Sequence, residues 1–221
     1  MVVLILLFCL VFPSYVSAHP FEQNSLEVIY DRGDPDNSVG IVGETILEKE
    51  DYFEGYRVRA FEDNAIIFED LRTLDSLKIV TKDEIEPKIL QYAQNVFIAK
   101  QMKAIHEAQV QYVSQFRDAY ADSLEELRKH GFLKNGFEQG VKQGYFFEIV
   151  EATKKFNETP TYLAVASPVE EGEGKLFFAV DQLGEVRFGE SRFQVPWGPA
   201  WNYKDHGVLH SQYIGVDPPD K

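Results

Sequence analysis

The chain has 221 residues, of which 44% are hydrophobic and 14% aromatic, and it carries a formal net charge of −14. This composition is sufficient for one or two packed cores and excludes an intrinsically disordered chain. The negative charge disfavours nucleic acid and anionic membrane surfaces as partners, because binding to either depends on clustered Lys and Arg.

The first 18 residues contain no charged side chain, and residues 2–12 form an unbroken apolar run. Small residues follow at Ser17 and Ala18, as in a cleavage site, and the run is short for a membrane span. We interpret 1–18 as a secretory signal peptide, which predicts a periplasmic or secreted bacterial protein. No Lys or Arg lies near the N-terminus, so an uncleaved anchor is the alternative. Cleavage would remove Cys9, the only cysteine, and with it any disulfide or cysteine zinc site.

Residues 19–82 are predicted to form a small all-β module, with strands at 26–30, 39–47, 56–61, 65–69 and 77–80. The alternating "YRVRAF", the turn residues "EDN" and the apolar "AIIF" together predict a hairpin. The segment 31–37 offers Asp31, Asp34, Asp36 and Asn37 to a calcium ion. It lacks the glutamate that ends a twelve-residue calcium loop, so we predict a polar turn.

A long helix is predicted to follow. Thr81 and Glu84 match a capping box, Pro87 suits a first helical turn, and neither glycine nor proline occurs from there to about Tyr120. Apolar residues recur at spacings of three and four, which predicts one buried ridge: Ile98, Met102, Ile105, Ala108, Tyr112 and Phe116. Interspersed lysines and glutamines make this helix amphipathic and unsuited to a membrane interior.

The next stretch changes from helical spacing to glycines and then to a strand pattern. Ser123 and Glu126 form a second capping box for a short helix at 124–130, and Gly131 suits its end. Gly136, Gly140 and Gly144 indicate repeated turns before a strand at 145–150. Further strands are predicted at 162–167, 175–180 and 186–188. Residues 83–221 are therefore predicted to be one α+β domain, a long helix packed on a four-stranded antiparallel sheet.

Residues from about 92 to 188 resemble the globular domain of the type IV pilins and of the major pseudopilins of type II secretion. The resemblance rests on "YADSLEEL", the glycine-spaced connection, "GYFF" and "FAVDQLGEVRF" in that order. Family members carry a processed leader and an apolar helix half that packs into a filament. This chain has a predicted export signal, a preceding β module and a polar helix instead. The resemblance therefore implies a soluble periplasmic relative that keeps the pilin head domain.

The β module has a second, shorter resemblance. Residues 39–70, which include "GYRVRAF" and the hairpin after it, are similar to the periplasmic homology region of the type II secretion component C and the pilus lipoprotein P. A generic β module is the alternative interpretation.

The C-terminal segment contains Trp197, Trp201 and Tyr203, which could grip a peptide or a sugar ring. The alternative is that this segment folds back and its indoles cover the sheet. Nearby, His206 and His210 have a spacing that metal ligands use in helices, but loop-forming residues surround them. We interpret them as part of a solvated tail and predict no metal site.

No nucleophile turn, zinc-protease motif or phosphate-binding loop occurs in the sequence. We therefore predict a protein that is not an enzyme, has no cofactor and binds other envelope proteins as an accessory of a secretion or pilus-like system. The alternative is a carbohydrate- or peptide-binding protein that uses the tryptophan-rich segment. The oligomeric state is not predicted by any feature of the sequence.

Overall fold

The computed structural model describes residues 20–116, 119–134, 136–137, 140–152, 160–170 and 175–192. It is an α+β structure in which one long helix packs against antiparallel sheets. The three sheets have three, four and five strands, and every pair of neighbouring strands is antiparallel. The predicted class, α+β with one long helix on an antiparallel sheet, is thereby confirmed.

Two sheets precede the long helix. The first contains β1 (Leu26–Ile29), β2 (Val39–Val42) and β3 (Thr45–Leu47), and the second contains β4 (Tyr52–Phe53), β5 (Tyr56–Glu62), β6 (Ala65–Asp70) and β7 (Ser76–Val80). The prediction of a single strand over 39–47 is wrong. Gly43 adopts a φ of +60° and reverses the chain, so this segment forms a hairpin of β2 and β3.

The long helix α1 spans Pro87–Phe116, so Pro87 occupies the first position as predicted. The predicted capping box is wrong, because Asp83 has a φ of +58° and breaks any helix that would begin at Thr81. The Thr81 hydroxyl instead donates to the carbonyl of Asn64, and the Glu86 carbonyl accepts the first helical hydrogen bonds. The helix also ends before Tyr120, the predicted limit.

Two sheets bury α1 together. The helix contacts β1 and β2 on the N-terminal side and β10 (Tyr162–Pro168) and β11 (Phe177–Asp181) of the last sheet, and all these elements contribute side chains to one core. The predicted ridge is buried from Ile98 to Tyr112, whereas Phe116 is 39% exposed. Almost every residue from Tyr92 to Met102 is buried, so this part of α1 has no solvent-facing side.

The short helix α2 spans Leu124–Lys129 and is capped much as the sequence predicts. The Ser123 side chain accepts a hydrogen bond from the backbone N–H of Glu126, and the Glu126 carboxylate accepts one from the N–H of Asp122. At the other end Gly131 has a φ of +75°, and the N–H of Phe132 reaches back to the Leu127 carbonyl. This pattern of hydrogen bonds closes the helix with a left-handed glycine.

The last sheet is an antiparallel meander, as predicted, but it has five strands. Its order is β12-β11-β10-β9-β8, where β8 is Val141–Lys142, β9 is Tyr145–Ala152 and β12 is Arg187–Gly189. The fifth strand is β8, which forms a tight hairpin with β9. Gln143 and Gly144 both have positive φ values, 46° and 75°, which is the backbone of a two-residue hairpin turn.

The core crosses the boundary at 82/83 that the sequence suggested between a β module and a pilin-like domain. Ile29, Val39, Ile41 and Ile46 from the first sheet belong to the same cluster as the buried residues of α1. The division of the chain into those two domains stays a prediction.

We expect Gly184→Ala to destabilise the protein more than Gly55→Ala. Both glycines have positive φ values, so both substitutions introduce backbone strain of about 1–2 kcal/mol. A Cβ atom at Gly184 would also lie 2.5 Å from Nε2 of His106, whose ring is held by a 2.7 Å hydrogen bond between Nδ1 and the Tyr162 hydroxyl. We expect this overlap to add about 1–3 kcal/mol, measured by urea unfolding.

Gly55 is the matched control, since a Cβ atom there meets no heavy atom within 4 Å. Equal losses of stability in the two variants would show that the contact between His106 and the turn at Gly184 is not as close as described.

Candidate functional site

The sequence-predicted binding residues Trp197, Trp201 and Tyr203 lie outside the described residues. The same is true of His206 and His210 and of the predicted signal peptide, 1–18. The predicted polar turn at 31–37 is described, and it lies where the N-terminal sheet meets α1 and the glycine-rich connection.

The carboxylates of this turn are bound by protein groups. Oδ1 of Asp31 accepts hydrogen bonds from the N–H groups of Gly33, at 3.0 Å, and Asp34, at 3.3 Å. Oδ1 of Asp34 lies 2.8 Å from Nζ of Lys134, and its Oδ2 accepts a 3.0 Å bond from the Asn37 amide. The segment is thus a polar turn whose carboxylates are bound by amides and lysines.

A buried ion pair joins this turn to the five-stranded sheet. Nζ of Lys142 on β8 lies 2.7 Å from Oδ2 of Asp31 and 3.0 Å from Oε1 of Gln101 on α1. The side chains of Lys142 and Asp31 are only 8% and 3% exposed. The ammonium group also lies 4.2 Å from the ring centre of Phe137, a cation–π contact. We call Asp31, Gln101, Phe137 and Lys142 the Asp31 cluster.

A second buried lysine makes a similar connection. Lys100, on α1, has a side chain that is 8% exposed and lies 3.3 Å from Oε2 of Glu48. It also donates to the carbonyl of Ser38, at 3.4 Å. Lys100 is one of the interspersed lysines from which the sequence predicts an amphipathic helix with its charges in solvent. The structure shows that its charge is buried and paired instead.

A third lysine, Lys134, binds the outer side of the 31–37 turn, and the acidic residues there change its pKa. Lys134 donates a hydrogen bond to Asp34, and this bond, with the charges of Asp34, Asp36 and Asp31, raises the pKa of the Lys134 ammonium group. The ammonium therefore stays charged well into the alkaline range, and it closes the outer end of the turn.

A cleft of about 220 Å³ adjoins the Asp31 cluster. Its walls come from the 31–37 turn, from α1 and from the glycine-rich connection: Asp36, Gln101, Glu107, Leu133, Lys134 and Lys142 are among them. Nε2 of Gln101 is buried and has no hydrogen-bond partner among the described residues. A water molecule in the cleft would accept a hydrogen bond from this buried amide group.

A larger and more open cleft, of about 380 Å³, lies between α2 and β9. We call it the α2–β9 cleft. Its aromatic residues are Phe137, Phe146 and Phe147, and the first and last of these pack edge to face at 5.3 Å. Phe146 is 41% exposed, and its cross-strand neighbour Val141 is 44% exposed. Charged residues border the cleft: Asp122, Glu125, Arg128 and Glu148.

Within the described ranges, no group of three or more His, Cys, Asp or Glu side chains could hold a metal ion. None of the helices in that part of the chain is long and apolar enough to cross a membrane. Comparisons with protein-family models, with curated proteins and with solved structures each found no match.

We expect Lys142→Met to destabilise the fold by about 3–5 kcal/mol, because it leaves the Asp31 carboxylate buried without its counter-charge. The measurement is urea unfolding followed by circular dichroism. The double variant Asp31→Asn/Lys142→Met keeps an oxygen for the N–H groups of Gly33 and Asp34 and removes both charges. We expect it to be more stable than Lys142→Met alone.

Arg32→Met is the control, since Arg32 and Asp63 form an ion pair whose side chains are 80% and 63% exposed. Exposed pairs contribute little, so we expect almost no change. Equal effects of Lys142→Met and Arg32→Met would contradict the burial of the Asp31 cluster.

Proposed function

We propose that this chain is a non-enzymatic, exported protein that binds other proteins of the bacterial envelope, as an accessory of a secretion or pilus-like assembly. The observation that carries this proposal is the order and packing of the C-terminal elements. A long helix, a short capped helix, a glycine-rich connection and an antiparallel meander follow one another, which is the order that the resemblance to the pilin head domain implies. The proposed pilin likeness rests on this order together with the sequence resemblance over 92–188.

The packing of α1 favours a mode of action other than filament assembly through the helix. Pilins assemble through the apolar first half of their long helix. In this chain the first half of α1, which includes Ile89, Ala93 and Phe97, belongs to one core with Val39 and Ile41 of the N-terminal sheet. We therefore propose that the N-terminal sheet covers the apolar side of this half of α1. Partners are then bound on the outer surface of the head domain.

The α2–β9 cleft is the surface that suits a protein partner best. Exposed aromatic and aliphatic side chains with a charged border are typical of the centre and rim of protein interfaces. Three carboxylates and one arginine surround Phe146, and Glu148 is already paired with Arg192 at 2.7 Å. This balance of charge favours a partner segment with an apolar residue flanked by Lys or Arg. The net charge of −14 also favours a partner with basic residues.

We expect a photo-reactive phenylalanine analogue at Phe146 to form covalent adducts with an envelope protein. The experiment is done in the cells that produce the protein, and adducts are identified by mass spectrometry. The same analogue at Tyr52, which is 66% exposed on β4, tests whether adducts depend on the cleft. Adducts from Phe146 that are absent from Tyr52 support the proposal.

A substitution at the same position provides a second test of the cleft. Phe146→Ser removes an exposed side chain and should leave the unfolding midpoint nearly unchanged. We expect it to weaken capture of the cross-linked partner when that partner is presented to the purified chain. Adducts at neither position, together with binding of the purified chain to a glycan array, would overturn the proposal in favour of a carbohydrate-binding protein.

A further inference from the structure

The cleft beside the Asp31 cluster contains a buried amide whose two ends differ in their bonding. Gln101 is fully inaccessible to solvent, and it lines this cleft of about 220 Å³. Its Oε1 accepts a 3.0 Å hydrogen bond from Nζ of Lys142, whereas its Nε2 has no partner among the described residues. Because an ammonium group only donates, Lys142 determines which end of the amide is the oxygen. The inner end of the cleft therefore holds an unpaired N–H donor.

This donor favours a ligand with an oxygen acceptor. A buried donor without a partner is unfavourable, and few such groups occur in folded proteins. The terminal torsion of a glutamine is soft, so Nε2 can turn to an oxygen atom that enters the cleft. The ammonium group of Lys142 lies beside this position and attracts negative charge. A carboxylate or a carbonyl group suits the inner end.

The outer end of the cleft has the opposite charge. Glu107 and Asp36 line it, and both residues are exposed. Asp36 is paired with Lys49 at 2.8 Å, but within the described ranges no ion pair involves Glu107. Lys134, in the same wall, is already bonded to Asp34 at 2.8 Å. The outer end therefore has a carboxylate that would attract the cation of a ligand.

The distance between the two ends determines the kind of ligand. Gln101 and Glu107 are six residues apart on α1, which is about 9 Å along the helix axis. An α-amino acid carries both charges on one carbon and cannot reach both ends. An ω-amino acid has methylene groups between its ammonium and its carboxylate. The cleft has room for roughly seven water molecules, and apolar residues form its middle: Ala104, Ala108, Leu133 and Phe137.

We propose that this cleft binds a small ω-amino carboxylate, with lysine as the type. The carboxylate accepts a hydrogen bond from Nε2 of Gln101, the methylene chain contacts Ala104 and Leu133, and the ammonium pairs with Glu107. A lysine residue of a peptide has the same chemistry, with a backbone carbonyl in place of the carboxylate. The inference is independent of the proposed envelope partner, because that partner is proposed to bind at the α2–β9 cleft.

We expect 6-aminohexanoate and free lysine to bind the full chain, measured by isothermal titration calorimetry and by a rise of the unfolding midpoint. Hexanoate and hexylamine each carry only one of the two charges, so we expect them to bind about tenfold more weakly. Nα-acetyl-lysine methylamide presents the ammonium with a peptide carbonyl. Tighter binding of this compound than of lysine would support the same site and identify a lysine residue of a peptide as the source.

Two variants test the ends of the cleft separately. Gln101→Glu keeps an oxygen for Lys142 and replaces the donor with a carboxylate, so we expect about a tenfold loss of affinity for 6-aminohexanoate. Glu107→Gln removes the outer carboxylate, and we expect a loss of about two- to fivefold, since exposed ion pairs contribute little. Glu84→Gln is the matched control, because Glu84 is exposed and lies outside the cleft, and it should leave the affinity unchanged.

If Gln101→Glu does not fold, Ala104→Leu tests the site by filling the cleft. Ala104 is half-buried on α1, where leucine is a good helix former. Absence of binding by 6-aminohexanoate and by lysine at millimolar concentration would overturn the proposal. So would an affinity that neither Gln101→Glu nor Ala104→Leu reduces. Equal binding of hexylamine would also overturn it, because the acidic surface would then attract any amine.

Discussion

The burial of α1 between two antiparallel sheets constrains most of what surrounds it. A helix that contacts one sheet can direct its polar side chains to water, but from Tyr92 to Met102 this helix has almost no exposed side. Lys100 and Gln101 are nearly inaccessible there, and an unpaired charge at that depth would strongly destabilise the fold. The N-terminal region supplies Glu48 and the Ser38 carbonyl as the partners of Lys100. The side-chain oxygen of Gln101 instead accepts a hydrogen bond from Lys142 of the last sheet, and Lys142 is itself paired with Asp31.

The same constraint positions the short helix. Gln109 is fully buried on α1, and its amide forms two hydrogen bonds with the backbone of Ala121, through Nε2 at 2.9 Å and Oε1 at 2.8 Å. Tyr112, one turn further along α1, donates to the Glu126 carboxylate, which also caps α2. The start of α2 is therefore held by side chains of α1, and the wall of the α2–β9 cleft is held with it.

Local patterns in the sequence predict those elements whose causes are local. The spacing of apolar residues predicts α1, and Ser123 and Gly131 predict the ends of α2. Runs of aromatic and β-branched residues between turn residues predict the strands of the meander. The hairpin of β2 and β3 escaped prediction because "VGIVGETIL" reads as one apolar run, although Gly43 was the available signal. The short strand β8 escaped it because two residues are too few to show alternation.

The buried ion pairs could not be predicted in the same way. Lys100 and Lys142 look like ordinary surface lysines in their local context, and their partners Glu48 and Asp31 lie far away in the sequence. Only the packing of two sheets on one helix brings these groups together. For the α2–β9 cleft, the sequence indicates that residues 145–150 are rich in aromatic side chains. It does not indicate which phenylalanine stays exposed, because that depends on the position of α2.

The contact between Lys142 and Asp31 joins residues 111 positions apart in the chain. During synthesis the N-terminal sheet and α1 emerge long before the strand that neutralises their buried carboxylate. Until then the Asp31 carboxylate has no lysine partner and the side of the helix that faces the last sheet is uncovered, and contacts of such long range slow folding. A nascent chain in this state exposes apolar surface and is prone to associate with other chains. A chaperone would therefore have to shield the N-terminal part until β8, which carries Lys142, has been synthesised and has joined the fold.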